Sequence, residues 1–457
     1  ALLKSAEYGW AMEYYPSSTQ AYGGYLFTMK FKDGDQVTVS TDAFEEAEKE
    51  VTSLYSLKKD IGPTLNFDTY NELFHHFSDP DIIDGGGKGK GYEGDYEFIF
   101  RSHTDNEIIL RGKKTNNVIK MTRLTEPPMT LLDKTVKLSK ETFTTTYTAN
   151  IGGKTFIVPM ENHVFLFSYE TEGKKTESVS GPYIFTATGI KFYEPIEVMG
   201  KTLENFTWDS ATKTFTCTDQ GATDVKLTAN ELPEGYMKYK DFLGAWDFVY
   251  AGGRIPVTLE EDSQTSFLMV GFNPNYKLLV NYDKSAGGIR IMSQKVGNTG
   301  NNEVWLCAWD ATTGNLFKNT ALGVASKPRA NAEDIIIDLE SYGVWADHEV
   351  NSLIVWEMKG NDYVGEFKKW GTSRYTGPLS MINNILILAL CTMVVGCGDD
   401  DDAVKSPELT VISTDAQFTY KGGTGLIKVL ATSAVEATAA DSWCHISVSD
   451  QDISLSV

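Results

Sequence analysis

The 457-residue chain contains no CxxC pair, no HExxH and no GxSxG, and it has only six histidines and five cysteines. These absences remove the paired-thiol redox or zinc site, the zinc-protease helix and the simplest α/β-hydrolase nucleophile. Cysteines 217, 307, 391, 397 and 444 are too few and too scattered to form a disulfide framework. Positive charge is also scarce. The 41 basic and 62 acidic side chains leave a net charge of −21, with no long Lys/Arg run. Phosphate binding needs clustered positive surface, so a nucleic-acid partner is excluded and an anionic membrane surface is disfavoured. What the chain does have is 41% apolar and 12% aromatic residues, ample for packed cores and incompatible with general disorder. At roughly 150 residues per domain the length implies about three domains. The first residue is Ala1 and not methionine, which leaves any N-terminal targeting signal out of view.

Apolar residues recur at every second position. Tyr25, Phe27, Met29 and Phe31 share one face of a strand, Lys32-Asp33-Gly34-Asp35 turns the chain, and Gln36 to Ser40 returns. Asp95 to Phe100, Asn106 to Arg111 and Asn117 to Thr122 continue the pattern. Only Ala1 to Gly9 and Ala43 to Leu57 have helix-favouring composition. Residues 1–127 therefore read as one antiparallel β domain with minor helices. Pro127-Pro128 breaks the chain, and 128–230 reads as a second β domain of short strands. Gly62-Pro63-Thr64-Leu65-Asn66-Phe67 and Thr188-Gly189-Ile190-Lys191-Phe192-Tyr193 open alike, a faint sign of duplication.

The third β domain, 231–380, holds Trp246, Trp305, Trp309, Trp345, Trp356 and Trp370, six of the nine tryptophans. Most are expected in the core, because small barrels need bulky fillers. Trp305, Trp309, Trp345 and Trp356 are the candidates for an exposed aromatic platform that binds sugar or peptide. Gly244-x-Trp246 resembles the opening of lipocalin-type barrels, in which the tryptophan plugs the closed end. The fold class expected is mainly β, with several antiparallel barrels or sandwiches, calycin-like in one form, and minor helices.

Residues 381–402 differ in kind. Met381-Ile382-Asn383-Asn384 precedes an apolar run from Ile385 to Gly396, then Cys397-Gly398 and four aspartates, Asp399 to Asp402. The run is too short to cross a bilayer, which takes about 20 helical residues, and has the length of a secretory h-region. Val394-Val395-Gly396-Cys397 resembles a bacterial lipobox, which implies lipidation of Cys397, and the acidic run resembles the tag that exports lipoproteins to the outer face of the outer membrane. The segment lacks a basic n-region and lies inside the chain, as if a second lipoprotein precursor had been joined to a first. A buried apolar hairpin is the plainer reading. Residues 403–457 resemble the start of a BACON domain, a small immunoglobulin-like sandwich, here only partial.

Three stretches resemble the domain of unknown function 4302 family of bacterial surface lipoproteins across residues 1–380. They are Ala6-Glu7-Tyr8-Gly9-Trp10-Ala11-Met12-Glu13-Tyr14-Tyr15-Pro16, Leu65-Asn66-Phe67-Asp68-Thr69-Tyr70-Asn71 with Phe77-Ser78-Asp79-Pro80, and Gly94-Asp95-Tyr96-Glu97-Phe98 with Leu110-Arg111-Gly112-Lys113-Lys114. The resemblance implies a lipid-anchored protein on the extracellular face of the outer membrane, encoded beside an importer of the starch-utilisation type and its lid lipoprotein. It supplies no catalytic residue.

Other candidates for chemistry are thin. Gly89-x-Gly91-x-x-Gly94 lacks the preceding strand and following helix of a dinucleotide site and reads as a loop. Asp79, Asp81 and Asp84 are close enough to share a calcium ion but lack EF-hand spacing. His75-His76 cannot aim two rings at one metal from a strand or a helix. The expectation is a non-catalytic accessory that binds glycan or peptide or scaffolds the importer. A surface hydrolase with an unrecognised acidic pair is the alternative, and a purely structural importer subunit a third reading.

Overall fold

A computed structural model of the chain describes residues 1–44, 48–60, 62–80, 89–171, 175–327 and 336–383, and the backbone of four strands between 409 and 456. The chain is mainly β, built on three closed eight-stranded antiparallel barrels. The first is an up-and-down meander from Trp10–Tyr14 to Val118–Arg123, closed by pairing of its first and last strands in the register Trp10↔Arg123. The second runs in the same way from Thr146–Ile151 to Lys226–Ala229. The third begins with Gly244–Tyr250 and is closed by Leu379–Asn383, which pairs with both Gly244–Tyr250 and Ile336–Tyr342. The two similar segments are the fifth strands of the first two barrels, Pro63–Phe67 and Gly189–Val198.

Period-two burial explains the closure. In the first barrel Trp10, Met12 and Tyr14, Phe27, Met29 and Phe31, and Val37 and Val39 all point inward. The interior is occupied by side chains. Phe74, on the segment between the fifth and sixth strands, touches Tyr14, Phe27, Phe67 and Phe98, whose strands lie on different sides of the barrel. Phe165, Phe192, Phe206 and Tyr147 fill the second barrel similarly, and Phe242, Trp246, Phe267 and Tyr282 fill the third.

Each barrel opens with the same device, a helical turn whose carbonyl is capped by a buried aromatic at the start of the first strand. The Trp10 indole N–H donates to the Leu3 carbonyl at 2.9 Å, after the 3-10 turn Leu3–Ser5. Trp246 donates to Phe242 at 2.7 Å, after the 3-10 turn Tyr239–Phe242. Tyr147 O–H donates to Thr142 at 2.6 Å, after the helix Pro128–Glu141. A large ring closes the barrel end, and its one polar atom finds a partner, as a buried Trp or Tyr requires. The Gly244-x-Trp246 motif is the third-barrel copy of this arrangement.

The sequence reading needs three corrections. Ala43 to Leu57 leads into the strand Val51–Lys59, in which Ser53 and Tyr55 turn inward, so from Val51 on ladder pairing on both sides overrides the helix-favouring composition. Pro127-Pro128 is followed by the α-helix Pro128–Glu141 and not directly by strands, because proline at the first helical position lacks only an N–H that would be unpaired there anyway. Met381, Ile382 and Asn383, assigned above to the processing segment, belong to the closing strand of the third barrel, and Met381 is fully buried there. The C-terminal strands Leu409–Thr419, Gly422–Ala431, His445–Ser449 and Asp452–Ser456 form one four-stranded antiparallel sheet.

The first two barrels are docked. Ala11, Tyr15 and Leu26, on the outside of the first, pack against Leu132 and Val136 of the helix and Ile184 of the second. Gly24 N–H donates to the Tyr183 carbonyl at 2.9 Å, the Tyr193 hydroxyl accepts the Val118 N–H at 2.9 Å, and Lys191 pairs with Glu13 at 2.8 Å. Asp42 sits at this junction and accepts the Leu26 N–H at 2.8 Å. Burial pushes its carboxyl up to about 7, against the downward pull of the Leu26 N–H and the Thr135 hydroxyl. A carboxyl raised in the folded state costs nothing below its ordinary value of 3.8, and the cost grows with pH until it is complete above about 7. Asp42→Asn keeps an acceptor for Leu26 and removes the charge. It is expected to raise stability by on the order of 2 kcal/mol at pH 8 and by nothing at pH 3.5, read from urea denaturation at the two pH values.

Candidate functional site

Two insertions in the third barrel's meander, one after its fifth strand and one after its seventh, leave the barrel and build a six-stranded side sheet. Its central strands, Asn302–Asp310 and Ser352–Lys359, pair with Trp305 opposite Trp356 and Trp309 opposite Ser352. Alternation again divides the residues. Val304, Leu306, Ala308, Leu353 and Val355 join the third-barrel core, while Trp305, Cys307, Trp309, Ile354 and Trp356 form a separate cluster on the other face.

All four candidate tryptophans therefore lie on or beside this sheet, in different settings. Trp305 is clamped. Its indole N–H donates to Glu303 at 2.8 Å, and Lys318 Nζ sits 4.4 Å from the ring centre. Glu303 also accepts from Lys295 at 3.0 Å and Lys318 at 3.2 Å. The Trp305 indole and the two lysines hold its carboxyl down to about 2. Trp309 is only 8% exposed and lies beneath the Arg374 guanidinium, which pairs with Glu366 at 2.9 Å. Trp345 stacks on Phe317 at 5.9 Å and leans on His348 at 4.9 Å. His348 in turn meets Asp310 at 3.0 Å, and the Thr313 hydroxyl, followed by His348, draws the Asp310 carboxyl down to about 2.

Trp356 is half-buried, and its indole nitrogen is buried without a hydrogen-bond partner among the described residues. An unmet buried donor costs about 1–3 kcal/mol. Tyr363, 46% exposed, extends the aromatic surface, while Phe317, 41% exposed, pairs opposite Ala308 and stacks on Trp345 on the other side of the sheet. The tryptophans were legible in the sequence by composition. Glu303, Phe317, Lys318 and Tyr363 were not, because they share no local pattern with them. Beside the sheet lies a cavity of about 550 Å³ lined by Thr312, Glu340, Glu349, Asn351 and Pro378, among others.

The remaining candidates fall elsewhere. Cys397, Asp81 and Asp84 lie outside the described residues. No group of three or more His, Cys, Asp or Glu is placed to hold a metal among the described residues. His75 and His76 have different neighbours: His75 stacks between Tyr70 and Tyr96, and His76 packs against Phe44 and Tyr92. Gly89, Gly91 and Gly94 lie in turns that lead into the strand Glu97–His103, and Gly94 N–H donates to the Phe77 carbonyl at 2.6 Å. No helix among the described residues is long and apolar enough to cross a membrane.

Comparison with known proteins places two families on the chain. Residues 218–356, most of the third barrel and much of its side sheet, match a second domain of unknown function, DUF4987. The DUF4302 match thus covers the first barrel and most of the second, and not the whole of 1–380 as the sequence motifs implied. No curated protein and no solved structure matches the chain. Residues 1–210 match the family model described as domain of unknown function DUF4302.

Proposed function

We propose that this is a non-catalytic cell-surface binding protein, a lipid-anchored accessory of an outer-membrane nutrient importer that captures glycan or peptide on the tryptophan face of its side sheet. The observation that carries this reading is the contrast between barrel interiors filled by side chains and a separate cluster of Trp305, Trp309 and Trp356 on the outer face of the side sheet. Rings give sugar C–H faces and peptide side chains a flat apolar contact, and the charged rim of Glu303, Lys318 and Arg374 supplies hydrogen bonds. The surface location of the barrels rests on the resemblance of their motifs to surface lipoproteins; the lipobox-like Val394 to Cys397 and its acidic run would anchor only the residues that follow it.

Trp356→Ala is expected to weaken binding to neutral oligosaccharides about tenfold, measured by calorimetry, with the melting curve of the first barrel unchanged. Purification of the importer from native membranes is expected to bring this chain with it, and its repeated absence would remove the accessory role. The hydrolase alternative draws on one feature, the presence of Glu340 and Glu349 in a single cavity. It requires release of reducing ends from polysaccharide and loss of that release in Glu349→Gln. The binding reading expects none from the wild-type chain.

A further inference from the structure

A second aromatic surface lies on the first barrel, away from the side sheet. Tyr70 is 66% exposed and Tyr96 46% exposed, and they flank the His75 ring at 5.5 Å each, tilted from it by 35° and 28°. The three rings form a stepped row. His75 is fixed in place, since its Nδ1 accepts the Asn71 N–H at 3.1 Å. Burial holds the imidazole below its ordinary value, so it stays neutral at pH 7. Asn71 is itself fully buried, with its amide donating to the Val51 carbonyl and the Ser53 hydroxyl and its side-chain oxygen accepting from Leu73 and Phe74, each at 3.2 Å. The row is thus presented on a rigid base, and little ordering entropy is lost when something stacks on it.

Tyr96 also forms one wall of a cavity of about 240 Å³, whose other walls are Gly94, Asp95, Glu97, Lys113 and Lys114. The charged groups near the row are engaged with one another, with one carboxylate in excess. Lys113 bridges Asp60 at 2.9 Å and Glu97 at 3.0 Å, Lys58 pairs with Asp68 at 2.7 Å, and Lys49 pairs with Glu72 at 3.1 Å. An anionic ligand would find no free cation in these pairs and would be repelled by the extra carboxylate beside Lys113. An uncharged ligand with many hydroxyls would find both donors and acceptors beside flat rings.

From this geometry we infer that the Tyr70–His75–Tyr96 row and the adjoining Glu97–Lys113 cavity form a binding site for a neutral glycan, independent of the tryptophan face. Sugar rings stack on the exposed tyrosines, and hydroxyls reach Glu97 and Lys113.

The test is affinity electrophoresis of the full chain in gels containing neutral polysaccharides (α-glucan, β-glucan, mannan and galactan), with a proline-rich peptide as competitor. At least one polysaccharide is expected to retard the wild type. Tyr70→Ala and Tyr96→Ala should each weaken that binding about tenfold. Tyr96→Phe, which keeps the ring, should stay within about threefold. Both tyrosines are exposed, so unchanged melting curves verify that the variants are folded. The proposal is overturned if the tyrosine variants bind every polysaccharide as the wild type does, if the wild type binds none, or if only the peptide binds through these tyrosines. Trp305→Ala with Trp356→Ala separates the two sites. Loss in that double variant alone sinks the tyrosine site and leaves the tryptophan face standing, and loss in the tyrosine variants alone does the reverse.

Discussion

Trp10→Ala is expected to destabilise the first barrel by about 3–5 kcal/mol, the usual cost of removing a large aromatic from a packed core. Trp10 is fully buried, and three contacts meet on it. Its ring closes the barrel end, its N–H holds the Leu3 carbonyl, and the Arg123 guanidinium lies 4.7 Å from its centre. Arg123 also bonds the Ser5 hydroxyl at 2.8 Å and the Asp105 carbonyl at 2.7 Å, which ties the opening 3-10 turn to the last strand of the barrel. Trp10→Phe keeps most of the packing and loses the hydrogen bond, at about 1 kcal/mol. Hydrogen exchange under mild urea reads the two variants barrel by barrel, which matters because a multi-barrel chain does not unfold in one step. Peptides from 10–123 should lose protection in Trp10→Ala while those from 244–383 keep it. Trp246→Ala should show the opposite pattern.

The second large effect concerns the closing strand. A chain ending at Asn383 is expected to keep all three barrels, and one ending at Pro378 is expected to lose the third. Leu379 and Met381 are core side chains, worth together about 4–8 kcal/mol. Removing Leu379–Asn383 also strips the ladder partners from Gly244–Tyr250 and Ile336–Tyr342 and leaves two open edges. That sum approaches the whole stability of a typical domain, about 5–15 kcal/mol. Limited proteolysis distinguishes the two chains, since residues 244–378 should be digested only in the shorter one. Cleavage before Cys397 would leave the third barrel intact, because the closing strand ends thirteen residues upstream of Gly396, but it would part all three barrels from a lipid on Cys397.

How much of this was legible in the sequence depends on distance along the chain. The Tyr25 to Ser40 hairpin was readable because two-residue alternation and a Gly34 turn are local signals, and it stands as Tyr25–Phe31 paired with Gln36–Thr41. The closure of each barrel was not readable, since Trp10 meets Arg123 only through the register of every strand between them. The strand Val51–Lys59 was obscured by the charged residues before it, whose propensity is weaker than a two-sided ladder. Composition pointed to the tryptophan face because Trp305 and Trp309 share one strand. Nothing in the sequence pointed to the tyrosine row, because Tyr70 and Tyr96 are 26 residues apart and only the filled barrel brings them to either side of His75.

On the proposed function, ligands meet the outside of these barrels and not the inside. The nine tryptophan indole N–H groups report on it in a single ¹⁵N-resolved titration with soluble neutral oligosaccharides. The Trp356 and Trp305 signals are expected to shift while those of the barrel plugs Trp10 and Trp246 stay fixed. Shifts of Trp10 or Trp246, with Trp356 unmoved, would place the ligand within a barrel and contradict it.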